Sequence, residues 1–206
     1  MRRFITASAV ALVVVLLPLS LTADVLVNVP LQPWGGSGGA GIAANQWMAQ
    51  AFTISQPYFI EEVGANVGLQ PGAMMYLTSA LNSSSILYTS GPLGSLSAWS
   101  STNFAVNAVL NPGTYFIVFG YTSYPANGFW GGGNESLLYE NGAQRGFTYW
   151  AFDTTTGTQQ SLDSTWSGGV YYPNAFHVSG HDVPEPGTLL LLGAGSFLIG
   201  IWRRRV

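Results

Sequence analysis

The side chains in this sequence best suited to chemistry are two histidines and an aspartate near the C-terminus. His177, His181 and Asp182 lie within six residues of one another. A His-x3-His spacing places both rings on one face of a helix, where they could share a metal ion. In a strand, His177 instead faces the same side as Ala175 and Ser179. The strand pattern favours solvated histidines, so we predict no metal site here.

The acidic side chains do not form a recognisable catalytic set. Glu61 and Glu62 are adjacent, so in a strand they point to opposite faces and cannot act as an acid and base on one substrate. Glu140, Asp153 and Asp163 fall in predicted loops and could bind calcium through oxygen, but no loop has the dense alternating acids of a calcium site. The sequence contains no nucleophile elbow, phosphate-binding loop or zinc-protease motif. We therefore predict no catalytic residues, no metal and no cofactor.

Tryptophans are the best lead toward a ligand. Trp34, Trp99, Trp130 and Trp166 lie in Gly- or Ser-rich stretches that we interpret as loops. An indole on a loop offers a flat apolar face on which a sugar ring can stack. The alternative is that these side chains cap the hydrophobic core. We retain all four as candidate glycan-stacking residues.

These side chains would be positioned by a single domain spanning residues 24–182. This segment has no cysteine, which excludes disulfides and thiolate metal sites, and no lysine. It contains eight Asp and Glu against one Arg, Arg145, a net charge of −7. Such an acidic surface argues against nucleic acid and against anionic lipid. Few charges with many Gly, Ser, Thr, Asn and aromatic residues are typical of an extracellular β-protein.

Apolar and polar residues alternate along this segment, and turn residues separate the runs. No amphipathic helix is visible, so we predict an all-β fold, a β-sandwich of jelly-roll type. The long stretches 122–146 and 153–169 are predicted to be irregular. The predicted strands are 45–55, 58–67, 74–81, 86–89, 103–110, 114–121, 147–152, 170–172 and 175–179.

The clearest local pattern is a predicted hairpin. Phe104, Val106, Ala108 and Leu110 share one face by period two, and residues 111–113, Asn-Pro-Gly, form a turn. The returning strand, 114–121, is apolar on both faces. We therefore expect it to be a central strand.

The N-terminus has the layout of a secretory signal peptide, residues 1–23. Arg2 and Arg3 precede an apolar run from Phe4 to Leu17, and Ala23 offers a small residue for cleavage. The alternative is an uncleaved N-terminal anchor. We expect the export machinery and a signal peptidase to act on this segment.

The C-terminus, residues 183–206, has three parts in a fixed order. Val183, Pro184, Glu185, Pro186 and Gly187 form a motif that two prolines keep extended. Residues 188–202 form an apolar helix of about 22 Å, shorter than a hydrocarbon core of roughly 30 Å, and are predicted to span the membrane weakly. The basic end, 203–206, stays on the cytoplasmic side because it carries the cluster Arg203, Arg204 and Arg205. An ordinary membrane anchor is the alternative.

This tail resembles a PEP-CTERM sorting signal, which carries the same three parts in the same order. The resemblance implies a bacterial protein whose tail is recognised and removed by an exosortase, a membrane protease-transpeptidase. Val183, Pro184, Glu185 and Pro186 would then be a recognition site for another protein. The implied route places the domain on the periplasmic side of the inner membrane, and then at the cell surface or outside the cell.

The middle segment is similar to exported choice-of-anchor β-domains. The matching pieces are residues 51–54, 111–115 and 176–180. Two function classes follow. The first is a non-enzymatic surface or matrix protein, with exopolysaccharide as an expected associate; the second is a carbohydrate-binding module that uses the loop aromatics.

Overall fold

A computed structural model describes residues 23–32, 40–123, 125–153, 155–170 and 174–183, and every long element in these ranges is a β-strand. Two short 3-10 turns, Ser83–Ser85 and Glu135–Leu137, interrupt them. The strands are β1 Asp24–Val29, β2 Ala40–Ala43, β3 Gln46–Ile54, β4 Tyr58–Leu69, β5 Ala73–Thr78, β6 Ile86–Thr89, β7 Leu96–Leu110, β8 Gly113–Tyr121, β9 Asn127–Trp130, β10 Tyr139–Glu140, β11 Ala143–Phe152, β12 Ser167–Val170 and β13 Phe176–Asp182.

The thirteen described strands belong to one connected antiparallel sheet that folds over on itself. We call β10-β1-β13-β4-β7 the first layer and β12-β11-β3-β8-β5-β6 the second layer. Strands β9 and β2 connect them, because β9 pairs with the end of β4 and β2 pairs with the start of β3. Phe104 of β7 contacts Phe119 of β8 with ring centroids 5.9 Å apart, although these strands are not neighbours in the sheet. The layers therefore face each other across a shared core.

The predicted hairpin at residues 111–113 is wrong. Strand β7 pairs with β4, whereas β8 pairs with β3 and β5, so the Asn-Pro-Gly connection crosses from one layer to the other. The connection between β3 and β4, residues 55–57, crosses beside it, since Ile54 pairs with Gly113 and Tyr58 with Leu110. The turn residues were identified correctly, but each strand has a better partner than its sequence neighbour.

Side chains alternate between the two faces of each strand, and this alternation determines which of them enter the core. Phe104, Val106 and Leu110 are buried and Ala108 is half-buried, which confirms the predicted inward face of β7. Strand β8 pairs on both sides and is buried on both faces, which confirms its central position. Burial of apolar area at roughly 25 cal/mol per Å² is the main stabilising term for such a core.

The all-β prediction is confirmed, and the jelly-roll subtype stays a prediction. Strands β1, β2, β9 and β10 were not predicted, and residues 122–146 are less irregular than expected. Strand β12 begins within the stretch 153–169 that was predicted to be irregular, and residues 171–172 of the predicted strand 170–172 lie outside the described residues. The predicted signal peptide up to residue 22 and the predicted membrane helix, 188–202, lie outside the described residues. Within the described ranges, no helix is long and apolar enough to cross a membrane.

The first and last strand residues of the domain, Asp24 and Asp182, lie at the same end of the folded sheet. Asp24, the first residue of β1, pairs with Gly180, and Asp182, the last residue of β13, pairs with Tyr58. The two crossing connections, 55–57 and 111–112, lie at the same end. We call this end the tail pole, because the C-terminal tail leaves the sheet there.

Candidate functional site

The root of the C-terminal tail is fixed to the sheet by side-chain and backbone bonds. Gln56 donates to the Asp182 carboxylate at 3.0 Å and to the Tyr58 hydroxyl at 3.1 Å. The backbone N–H of Val183 donates to the Pro57 carbonyl at 3.2 Å. Burial, and next the neighbouring Asp182 carboxylate, raise the pKa of the Tyr58 phenol. The described chain is thus held in the sheet up to the first residue of the predicted motif.

Strand β13 itself is bound on both sides. It pairs with β1 and with β4, and it buries Phe176 and Val178 completely. The tail therefore continues from an interior strand of the first layer. A cut beyond Val183 removes none of these contacts.

The two predicted solvated histidines each contact a glutamate on the outer surface of β13 and β4. His177 Nε2 lies 3.1 Å from a Glu62 oxygen, and His181 Nδ1 lies 3.1 Å from a Glu61 oxygen. His181 also stacks on Phe59 with ring centroids 5.1 Å apart. These pairs connect the tail-bearing strand to its neighbour.

The prediction that Glu61 and Glu62 point to opposite faces is wrong. The β13–β4 register shifts between Glu62 and Ile60, which leaves Glu61 as an extra residue in a β-bulge. Ile60 and Val63 on either side are fully buried, whereas both glutamates are partly exposed and each contacts a histidine. The bulge reverses the alternation, so both carboxylates lie on the outer face.

The other acids considered as calcium ligands accept hydrogen bonds from backbone amides. Asp163 accepts from the Ser83 N–H at 2.8 Å, and Glu140 accepts from the Arg145 N–H at 2.7 Å. The Asp153 carboxylate accepts from the Thr156 hydroxyl and from the N–H groups of Thr156 and Thr155, which hold its pKa well below the usual range. Among the described residues, no group of three or more His, Asp or Glu could hold a metal ion.

The four candidate tryptophans do not form one site. Trp130 lies in β9 and is fully buried, so its assignment as a loop residue for glycan stacking is wrong. Trp99 lies within β7, so its assignment to a loop is also wrong. Trp166 does lie in a loop and is half-buried; its indole N–H donates to the Leu162 carbonyl at 2.9 Å. Trp34 lies outside the described residues.

A set of aromatic side chains, of which the sequence analysis named only Trp166, lies on the outer face of the second layer. We call the half-buried members the outer aromatic face: Tyr76, Phe116, Tyr149 and Trp166. The rings of Phe116 and Tyr149 meet edge to face at 5.6 Å. The period-two pattern of β8, apolar on both faces, is the signal that could have found Phe116.

The buried Trp47 of β3 lies in the same outer cluster and packs beside the outer aromatic face. Its ring stacks on Tyr76 at 5.7 Å and lies over Gly120, where an added Cβ would be 2.0 Å from the indole. Its N–H donates to the Tyr121 carbonyl at 3.2 Å. The outer aromatic face is therefore a well-positioned apolar surface on a rigid sheet.

Comparison with known protein families identifies the C-terminal tail. The family model described as the PEP-CTERM protein-sorting motif matches residues 182–205, and no curated protein matches the chain. The match begins at Asp182, the last residue of β13. The chain therefore carries a C-terminal sorting signal of the kind that an exosortase recognises, which implies export.

Proposed function

We propose that this chain is an exported, non-enzymatic bacterial surface or matrix protein whose tail is processed by an exosortase after the domain has folded. The single observation that carries the proposal is the position of the sorting motif. The match begins at Asp182, the last residue of β13, and Pro184, Glu185 and Pro186 follow in sequence after Val183, which is hydrogen-bonded to Pro57. The enzyme can then act on Pro184, Glu185 and Pro186 without unfolding the sheet.

The order of events follows from the two ends of the chain. The signal peptide, 1–23, directs export, and the apolar stretch 188–202 holds the chain in the inner membrane with the domain on the periplasmic side. Arg203, Arg204 and Arg205 keep the C-terminus cytoplasmic. Because β1 begins and β13 ends at the tail pole, the domain would stand with this pole toward the membrane until release.

A structural rather than enzymatic role is supported by how the acids of the domain are used. Asp153, Asp163 and Glu140 accept hydrogen bonds from backbone amides, and Glu61 and Glu62 pair with histidines that join two strands. Each of these five carboxylates contributes to the fold. An association with exopolysaccharide is part of the proposal, and it requires a surface suited to sugars.

The test of processing is to replace residues 184–186 with alanines in a host that contains the exosortase. We expect the variant to stay in the membrane at full length, while the wild type is released in a shortened form. The matched control replaces Ser83, Ser84 and Ser85, in a surface 3-10 turn, with alanines and should be processed normally. If the variant with alanines at residues 184–186 were shortened and released like the wild type, the proposal would be refuted.

A second candidate function, glycan binding, is favoured by the outer aromatic face. Tyr76, Phe116 and Tyr149 lie on three different strands of the second layer and are all half-buried. Such rings present apolar faces with polar edges, which suit sugar stacking. In this second proposal, the sugar stacks on aromatic side chains of the strands and not on the loop tryptophans named in the sequence analysis.

A glycan array with the exported protein tests this candidate. Tyr149→Ala and Phe116→Ala should each weaken binding to any retained polysaccharide at least tenfold, about 1.4 kcal/mol. Phe152→Ala is the control, because Phe152 is 48% exposed and is not a member of the outer aromatic face. Equal loss in all three variants, or no retained glycan, would exclude this face as the binding site.

A further inference from the structure

The two layers end at one side of the domain in strands that carry no charge. Residues 63–134 contain no Asp, Glu, Lys, Arg or His, and they include β6 and β7. All eight acids of residues 24–182 lie outside this stretch. The domain is therefore acidic overall, with one long neutral segment.

Both edge strands in this segment pair on one side only among the described residues. Strand β7 pairs only with β4, and β6 pairs only with β5. Open strand edges are usually blocked by charges or proline, because free N–H and C=O groups recruit another strand. Neither β6 nor β7 contains a charge or a proline, and Ile86, Leu87 and Val109 are 39–54% exposed.

The two edges are offset from each other in a self-complementary way. Phe104 of β7 contacts Phe119 of β8, and the inward side chains of β5, Met75 and Leu77, are fully buried under the first layer. The second layer therefore extends past β7 only by its last strand, β6. Strand β7 runs toward the tail pole and β6 runs away from it, since β6 is antiparallel to β5 and β5 to β8. A two-fold rotation about the long axis of the strands brings β6 of one copy beside β7 of another, antiparallel and in the same layer.

We propose that this side of the domain binds a second copy of the chain, with β6 of each copy adding to β7 of the other. Each joint extends a sheet by antiparallel backbone hydrogen bonds, and the longer layer of one copy covers the shorter layer of its partner. Copies of one acidic protein repel each other except where charge is absent, which favours this side. Both tail poles point the same way in the pair, so two copies held in one membrane can join.

Cysteine cross-linking tests the pairing of β6 with β7 between copies. The natural chain contains no cysteine, so only the introduced cysteines can form a disulfide. Thr89 in β6 is exposed, as are Ser101, Asn103 and Ala105 in β7. Cells co-expressing a Thr89→Cys chain with a Ser101→Cys, Asn103→Cys or Ala105→Cys chain should yield an exported disulfide-linked dimer for at least one combination. Gln144→Cys, on an exposed position of β11, is the matched control and should give several-fold less dimer with Thr89→Cys.

Several outcomes would overturn the proposal. Cross-links from Asn103→Cys alone would indicate pairing of β7 with β7, and cross-links to a different protein would exclude the second copy as occupant. A monomeric mass for the exported protein by light scattering at high concentration would also contradict it. Asn103→Glu with Ala105→Glu should halve a dimeric mass, whereas Gln144→Glu with Thr165→Glu should not; thermal unfolding checks that both variants fold.

This pairing is separable from tail processing. The variant with alanines at residues 184–186 remains in the membrane but keeps β6 and β7 unchanged. When the same cysteines are introduced into this variant, it should cross-link as the cysteine variants with the natural motif do, whatever happens to its tail. Loss of cross-linking in that variant alone would show that dimer formation depends on release, against the proposal.

Discussion

Replacing Trp130 with alanine should destabilise the whole domain and should not specifically remove ligand binding. Trp130 is fully buried, and its N–H donates to the Ala175 carbonyl at 2.9 Å. Its ring meets Phe119 edge to face at 4.8 Å. Ala175 directly precedes β13, so this tryptophan also secures the strand from which the tail leaves.

The magnitude follows from three losses. Truncating a buried tryptophan to alanine costs about 3–5 kcal/mol of unfolding free energy through lost transfer energy and a cavity. The aromatic pair with Phe119 adds about 0.5–1.5 kcal/mol. The Ala175 carbonyl keeps a bond from the Asn66 N–H at 3.1 Å, so the lost indole bond costs only about 0.5–1.5 kcal/mol. Because these contributions overlap, we expect about 4–6 kcal/mol in total.

Such a loss is a large fraction of the roughly 5–15 kcal/mol that stabilises an ordinary domain. For a domain of this length, it corresponds to a fall in Tm of roughly 10–20 °C. The assay is thermal unfolding of the exported protein followed by near-UV circular dichroism. Trp130→Phe, which keeps a ring but removes the N–H, should lose about half as much or less.

Trp166→Ala is the matched control for this prediction. Trp166 is half-buried in a loop, so its truncation should cost less than about 2 kcal/mol. Equal effects of the two substitutions, or a Tm within about 3 °C of the wild type for Trp130→Ala, would refute the placement of Trp130 in the core.

Three further predictions concern packing and charge. Gly120→Ala should cost more than about 1–3 kcal/mol in urea unfolding, because its Cβ would overlap the Trp47 ring; a neutral effect would contradict the position of that ring. Phe176→Ala should lower the free energy of unfolding by about 3–5 kcal/mol in the same assay, because Phe176 is fully buried. An unfolding free energy equal to that of the wild type would contradict this burial. The pKa of the Asp153 carboxyl is lowered in the folded protein, mainly by the hydrogen bond from the Thr156 hydroxyl. The ionised carboxylate therefore stabilises the fold above a pH of about 4, and this contribution is lost as the pH falls through the lowered pKa of the folded state. An NMR titration midpoint for Asp153 at or above about 3.9 would contradict this.

Local patterns predicted the class of the fold and several strands, because alternation with period two reports directly on which face is buried. The face shared by Phe104, Val106, Ala108 and Leu110 and the central position of β8 were found in this way. Pairing was harder to predict. Residues 111–113 suit a hairpin and a crossing connection equally well, and only the partners β4, β3 and β5 decide between them.

The candidate sites show the same limit. Alternation predicted opposite faces for Glu61 and Glu62, but a bulge, which depends on the register with β13, puts both on the outer surface. Gly- and Ser-rich surroundings suggested loops for Trp99 and Trp130, yet both lie in strands. In contrast, the sorting signal could be read directly, because an enzyme recognises it as a linear motif and its three parts do not depend on tertiary contacts.

The most direct test of the account is the mass of the exported protein from native cells, with sequencing of its C-terminal peptide. We expect a chain that begins at Asp24 and ends after Val183 but before Leu189, with β13 and its contacts intact. A released or surface-attached product that still ends in Val206 would contradict the account.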